Sequence, residues 1–156
     1  MRKSVVSLSN TSSSSAANKA LDLEQIASVE ISSEDAHHPF ENALTGGKAG
    51  GWRAADPGPQ VIRLKFDHPQ DIRTIRLEFR EDRVQRAQEF ALFATSAAHS
   101  RKEVVRQQWT FSHGGSAVEV EEYTINLVGV SMLELEIDPG RHDKQAIASL
   151  ESISIS

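Results

Sequence analysis

A chain of 156 residues has room for one domain with a core of its own. Seventeen basic and twenty-two acidic side chains leave a formal net charge of −5, which argues against a nucleic-acid or anionic-membrane surface. Cysteine is absent, excluding disulfides, thiolate metal sites and cysteine nucleophiles, and no apolar run approaches the roughly 18 residues of a membrane-spanning helix.

Met1, Arg2 and Lys3 open the chain, but Val5, Val6 and Leu8 are too few and too broken by serine to form the apolar core of a signal peptide. A cytoplasmic location is expected. Residues 7–20 are rich in Ser, Ala, Asn and Thr, with little apolar surface to offset the entropy of ordering them. Residues 1–22 therefore read as a flexible tail or linker, with at most a short strand over 4–8, and residues 23–156 as the folded domain.

Period-2 alternation then recurs along the chain. Ala27, Val29 and Ile31 alternate with Ser28 and Glu30; Ile62, Leu64 and Phe66 alternate with Arg63 and Lys65 and stop at a predicted turn, Asp67-His68-Pro69. Ile75, Leu77 and Phe79 follow, then an apolar run over 90–94 and a strand over 104–111 ending at Gly114-Gly115. Val118 and Val120, then Tyr123, Ile125 and Leu127, then Leu133, Leu135 and Ile137 suggest further strands, the last stopping at Pro139-Gly140. Ile147, Leu150, Ile153 and Ile155 close the chain. The best helical candidate is the segment 39–44, where Pro39 suits a first-turn position. About eight half-buried strands predict an all-β, antiparallel sandwich of the jelly-roll kind, a barrel being the alternative.

The segment Pro39-Phe40-Glu41-Asn42-Ala43-Leu44-Thr45-Gly46-Gly47, followed by Gly51-Trp52-Arg53 and by Gly58-Pro59-Gln60 before a strand, resembles the opening of discoidin domains. These are also called factor V/VIII type C domains, and they belong with galactose-binding-like carbohydrate-binding modules. The resemblance covers most of residues 27–155 and implies a galactose-binding-like jelly roll that binds and does not catalyse. Many such domains hold calcium with an Asp before the Gly and a Glu on the final strand. Here Thr45 takes the first position, and Ser152 the second with Glu151 one step off, so no cofactor is expected.

The residues themselves offer no catalytic constellation. There is no Gly-x-Ser-x-Gly elbow, and Gly46-Gly47 and Gly114-Gly115 do not lie between a strand and a helix as a phosphate loop requires. An enzyme is not expected. His37 and His38, after Glu34 and Asp35, suit either a solvated loop or a polar ligand, but adjacent histidines diverge, so no metal is assigned. Trp52, beside Arg53, suits either a sugar platform or the edge of the core. The arginines Arg73, Arg76, Arg80, Arg83, Arg86, Arg101 and Arg106 are interleaved with acids, as on a salt-bridged face. Arg86 stands apart: if Phe90 and Leu92 point inward, so do Gln88 and Arg86, and a buried guanidinium then needs a carboxylate, for which Glu41 and Glu89 are candidates. Arg141 and His142 occupy a polar loop after Pro139-Gly140.

These residues set the expectation of a carbohydrate or similar polar ligand met by loops at one end of the sandwich. The candidate contacts are His37, His38, Trp52, Arg53, Arg83, Arg86, Arg141 and His142. The alternative partner is a protein, through an exposed sheet face or edge. Scarce aromatics and net acidity disfavour nucleic acid.

Overall fold

The long apolar alternations do form strands, and two of them run further than their local pattern suggests. The computed structural model describes residues 20–44, 50–81, 86–111 and 118–156. The elements are α1 (Leu23–Ile26), β1 (Ala27–Ile31), α2 (Glu41–Leu44), β2 (Trp52–Arg53), β3 (Gln60–Arg80), β4 (Arg86–Ser96), β5 (Lys102–Phe111), β6 (Val118–Asp138), β7 (Ser149–Leu150) and β8 (Ser152–Ile155). Residues 1–19, with the predicted strand over 4–8, lie outside the described residues, as do Thr45, Gly46-Gly47 and Gly114-Gly115. Leu21, just before Leu23, is tied to the fold: its N–H donates to the Ile155 carbonyl at 2.7 Å.

All pairing is antiparallel. One layer runs β1, the first half of β3, the second half of β6, β4, β5; the second halves the same strands again, with β8, the rest of β3 and the rest of β6. The register puts Ile62 opposite Leu135 in the first layer and Leu77 opposite both Glu121 and Ile153 in the second. The inner faces meet in one core: the Phe79 ring lies 5.4 Å from Phe90 and 5.0 Å from Trp109, contacts that cross between layers. A fully buried side chain such as Phe79 or Phe90 contributes about 1.5–3 kcal/mol of transfer free energy.

Asp67-His68-Pro69 is not the chain reversal expected of it. β3 continues through these exposed residues with register shifts between Lys65 and Thr74, and the strand passes from one layer to the other. Pro69 has no N–H to donate, so a bulge that leaves it unpaired serves as well as a turn. The segments at 118–120, 123–127 and 133–137 likewise join into the single strand β6. The closing segment divides instead: Ser149 and Leu150 pair with Arg53 and Trp52 in a small second sheet, while β8 pairs with β3.

The outer face of the larger layer carries ion pairs. Lys65 reaches Glu30 at 2.8 Å, Arg101 reaches Glu136 at 2.8 Å and Glu134 at 3.3 Å, and Arg106 reaches Glu89 at 2.6 Å. Arg101 also lies over the Phe93 ring at 3.6 Å, which helps explain why Glu134 is buried on a face otherwise open to water.

On the inner side of β6, Glu119, Glu121 and Tyr123 share one half-buried face, and the Tyr123 hydroxyl donates to Gln107 Oε1. Burial, and next the Glu119 carboxylate beside it, push the Glu121 carboxyl up to about 7. A carboxyl raised in the folded state binds more protons there than in the unfolded chain, so its contribution to stability falls as pH rises from about 4.5 to about 7. Glu121→Gln is therefore expected to raise the melting temperature at pH above 7 and to change it little near pH 5. Thermal melts of both proteins across this range check it; a variant no more stable than the wild type under alkaline conditions contradicts it.

Candidate functional site

The sequence brings polar side chains to one end of the sandwich, where β3 starts, β4 starts and β6 ends: Gln60 pairs with Ile137, and Glu89 with Asp138. Buried Gln60 organises the first part of this end. Its Oε1 accepts from the Ser32 hydroxyl at 2.5 Å and the Ser33 hydroxyl at 2.8 Å, and its Nε2 donates to the Asp56 carbonyl at 3.0 Å. Ser33 in turn accepts the Trp52 indole N–H on its carbonyl at 3.2 Å. Trp52 is thus fully buried and has no surface to offer a sugar, a correction to its place among the candidate contacts. A large ring with one satisfied donor is better used as core than as platform here.

Beyond this anchor the chain turns past Asp35, whose carboxylate accepts from the His37 N–H at 2.8 Å. That bond, and then the nearby His38, His37 and Arg53 charges, hold the Asp35 carboxyl below its ordinary range. The His38 carbonyl accepts from the Arg53 N–H at 3.1 Å, and the Arg53 carbonyl from the Asp35 N–H at 2.9 Å. His37, His38 and Arg53 are therefore brought together around Asp35. His37 is exposed and His38 half-buried, with its Nδ1 3.9 Å from the Asp35 carboxylate. Among the described residues no three metal-ligating side chains converge, and Glu151 faces Arg80 at 3.9 Å.

Arg86 forms the second part of the site. Inward alternation holds: Arg86 is 5% and Gln88 0% exposed. The guanidinium donates from Nε to Glu81 at 2.8 Å and from Nη1 to the Pro139 carbonyl at 2.6 Å, and it also bonds Gln88 Oε1. It lies 5.0 Å over the Phe111 ring, and Nη2 has no partner among the described residues. Desolvation lowers its pKa, the Glu81 carboxylate opposes this, and the Arg53 charge adds to the lowering, so the two parts of the site lie within electrostatic reach. The carboxylate is Glu81, not Glu41 or Glu89. Glu41 lies in α2, and Glu89, one step from the inward Gln88, turns outward to Arg106. The alternation that turned Arg86 inward was enough to exclude Glu89; nothing local pointed to Glu81.

Arg86, Ala87, Thr110, Gly140, His142 and Asp143 line a cavity of about 360 Å³. Thr110 and Asp143 were not among the candidates. Asp143 shapes its own loop by accepting the Gln145 N–H at 2.9 Å on Oδ1. Arg141 is held on the Ala87 carbonyl by its N–H, but its guanidinium turns away to Gln108 on the outer face of β5 at 2.6 Å, so it does not line the cavity as expected. Arg83 lies outside the described residues.

Two layers sharing bent strands, with polar loops at one end, decide the architecture. The fold is that of a discoidin-like, galactose-binding-like β-sandwich. No known family's sequence model matches this chain, and no curated protein matches it. Solved structures of galactose-binding-like sandwiches do. A pectin-binding carbohydrate-binding module is 21% identical, with a TM-score of 0.61 over 85% of this chain and 91% of that one. The family 32 carbohydrate-binding module of NanJ from C. perfringens, in complex with galactose, is 12% identical, with a TM-score of 0.63 over 87% of this chain and 96% of that one. A chain in the structure of reduced XRCC1 bound to the DNA pol beta catalytic domain is 13% identical, with a TM-score of 0.57 over 81% and 92%.

Proposed function

We propose that this galactose-binding-like sandwich is a non-catalytic carbohydrate-binding module whose sugar sits in the loop-end cavity between Arg86, Thr110, His142 and Asp143. The observation that carries the reading is the set of residues around one small cavity: Thr110 with a hydroxyl, His142 with an imidazole and Asp143 with a carboxylate, all exposed, beside the buried Arg86. Sugar hydroxyls both donate and accept, so a site holding fixed acceptors beside fixed donors suits them. At about 360 Å³ the cavity is at the small end of ligand sites, which favours a single sugar unit over a chain. His37, His38 and Arg53 stand around Asp35 at the same end and are placed to meet the remainder of a larger saccharide.

Calorimetric titration with galactose, with galacturonate oligomers and with mannuronate oligomers tests this. Saturable binding of one of them is expected, weakened about tenfold or more by His142→Ala and by Asp143→Asn, as loss of a hydrogen bond to a charged group implies. Both residues are exposed, so the melting temperature should hold. Absence of heat with every sugar, or binding that ignores both substitutions, would sink the proposal.

A further inference from the structure

Among the described residues, 118–127 of β6 are paired on one side only, by β3; β4 joins β6 from Val130 onward. Along this stretch every second residue directs its N–H and C=O away from β3, toward an open edge. The large apolar side chains most exposed among the described residues are Val118 at 37%, Val120 at 44% and Val128 at 67%, and all three share one face of this strand. Natural edges are protected against pairing by covering or by charge. Here the charges are of one sign: Glu119, Glu121 and Glu122, none of which forms an ion pair among the described residues. At the other end of the same edge lies an apolar groove of about 460 Å³, between β5 and β6, lined by Ala94, Val104, Ile125, Leu127, Val128 and Val130 among others.

We infer that this edge of β6 receives an extended segment of a partner protein by antiparallel strand addition, the segment carrying a large apolar side chain for the groove and, further along, Lys or Arg for the glutamates. This goes beyond sugar recognition and uses a surface away from the loop-end cavity. Main-chain bonds would supply register-independent affinity, and the two ends of the edge would supply selection. Leu127 and Glu121 are six residues apart and face the same side. An antiparallel segment therefore meets the groove first and the acids six positions later, with a second basic residue two positions on, opposite Glu119. A second copy of this chain fits less well, because it would set three more glutamates on the same ribbon. The crowding that pushes the Glu121 carboxyl up is relieved by a cation and aggravated by another carboxylate.

The test uses the full chain and a fluorescein-labelled peptide of alternating Thr and Val, with one Leu near its start and Lys six and eight positions after it. A second peptide replaces both lysines by Glu. Anisotropy titration should show saturable binding of the lysine peptide, and at least about tenfold weaker binding of the glutamate peptide. The double variant Glu119→Lys with Glu121→Lys should reverse that order, while Val128→Asp, at an exposed position, should weaken both; circular dichroism confirms that each variant is folded. Hydrogen exchange of the bound protein should slow at amides within 118–127. The inference fails if neither peptide binds, or if both bind equally and charge reversal changes nothing. It also fails if sedimentation shows the protein alone forming a dimer that excludes the peptide, since the edge then belongs to a second copy.

Discussion

Replacing Arg86 with alanine is expected to lower the unfolding free energy by about 3–5 kcal/mol, the usual cost of removing one partner of a buried ion pair. Its side chain is 2% exposed, and the partner Glu81 carboxylate only 11%. Alanine takes the guanidinium away from that carboxylate, from the Pro139 carbonyl and from the Gln88 amide oxygen together, and it uncovers one face of Phe111. Lysine should recover little, because one ammonium cannot reach three acceptors that the planar guanidinium spans. The double variant Arg86→Met with Glu81→Leu separates the cost of breaking the buried pair from the worth of the pair itself. It should be far more stable than Arg86→Ala, since apolar replacement of a whole buried pair is often close to neutral. Urea denaturation of the three proteins measures this. A loss below about 1 kcal/mol for Arg86→Ala would mean that the pair does not hold the loop end together.

The second large effect is expected at Gly51. Its φ is +68°, and a Cβ there would lie 2.3 Å from the Leu150 carbonyl oxygen and 2.7 Å from the Glu151 Cα. Both are backbone atoms of the segment that pairs with Trp52, so neither can swing aside as a side-chain tip would. Gly51→Ala then combines left-handed strain with overpacking, about 1–3 kcal/mol each, for a loss of about 2–6 kcal/mol. Gly58 supplies the control: its φ is +90°, yet nothing lies within 4 Å of its would-be Cβ. Gly58→Ala should show the backbone term alone and leave the protein measurably more stable than Gly51→Ala. Equal urea midpoints for the two variants would show that β2 and β7 part without cost.

Both positions show where local reading stops. The inward turn of Arg86 follows from the two-residue repeat through Gln88, Phe90 and Leu92, and the burial of all four agrees with it. Its partner does not follow, because Glu81 reaches it across the connection between β3 and β4, whose path no repeat describes. The same holds for Arg141 and His142. Neighbours in one polar loop, they part company when the Ala87 carbonyl takes the Arg141 N–H, leaving one side chain on the outer sheet and the other in the cavity. Trp52 was open to two readings, and the choice was made by Ser33, nineteen residues earlier, whose carbonyl takes the indole N–H.

Where the extended segments lie, the alternating burial along most of them and the inward Arg86 were determined by the sequence alone, since alternation is a local property that side-chain transfer from water enforces residue by residue. Three further features were decided only by tertiary structure: that Asp67-His68-Pro69 bends a strand between layers, that Glu81 meets Arg86 while His142 lines the same cavity, and that β6 keeps an edge unpaired among the described residues. Each depends on which distant backbone a segment pairs with, and pairing is fixed by the packing of the whole sandwich and by no single stretch of chain.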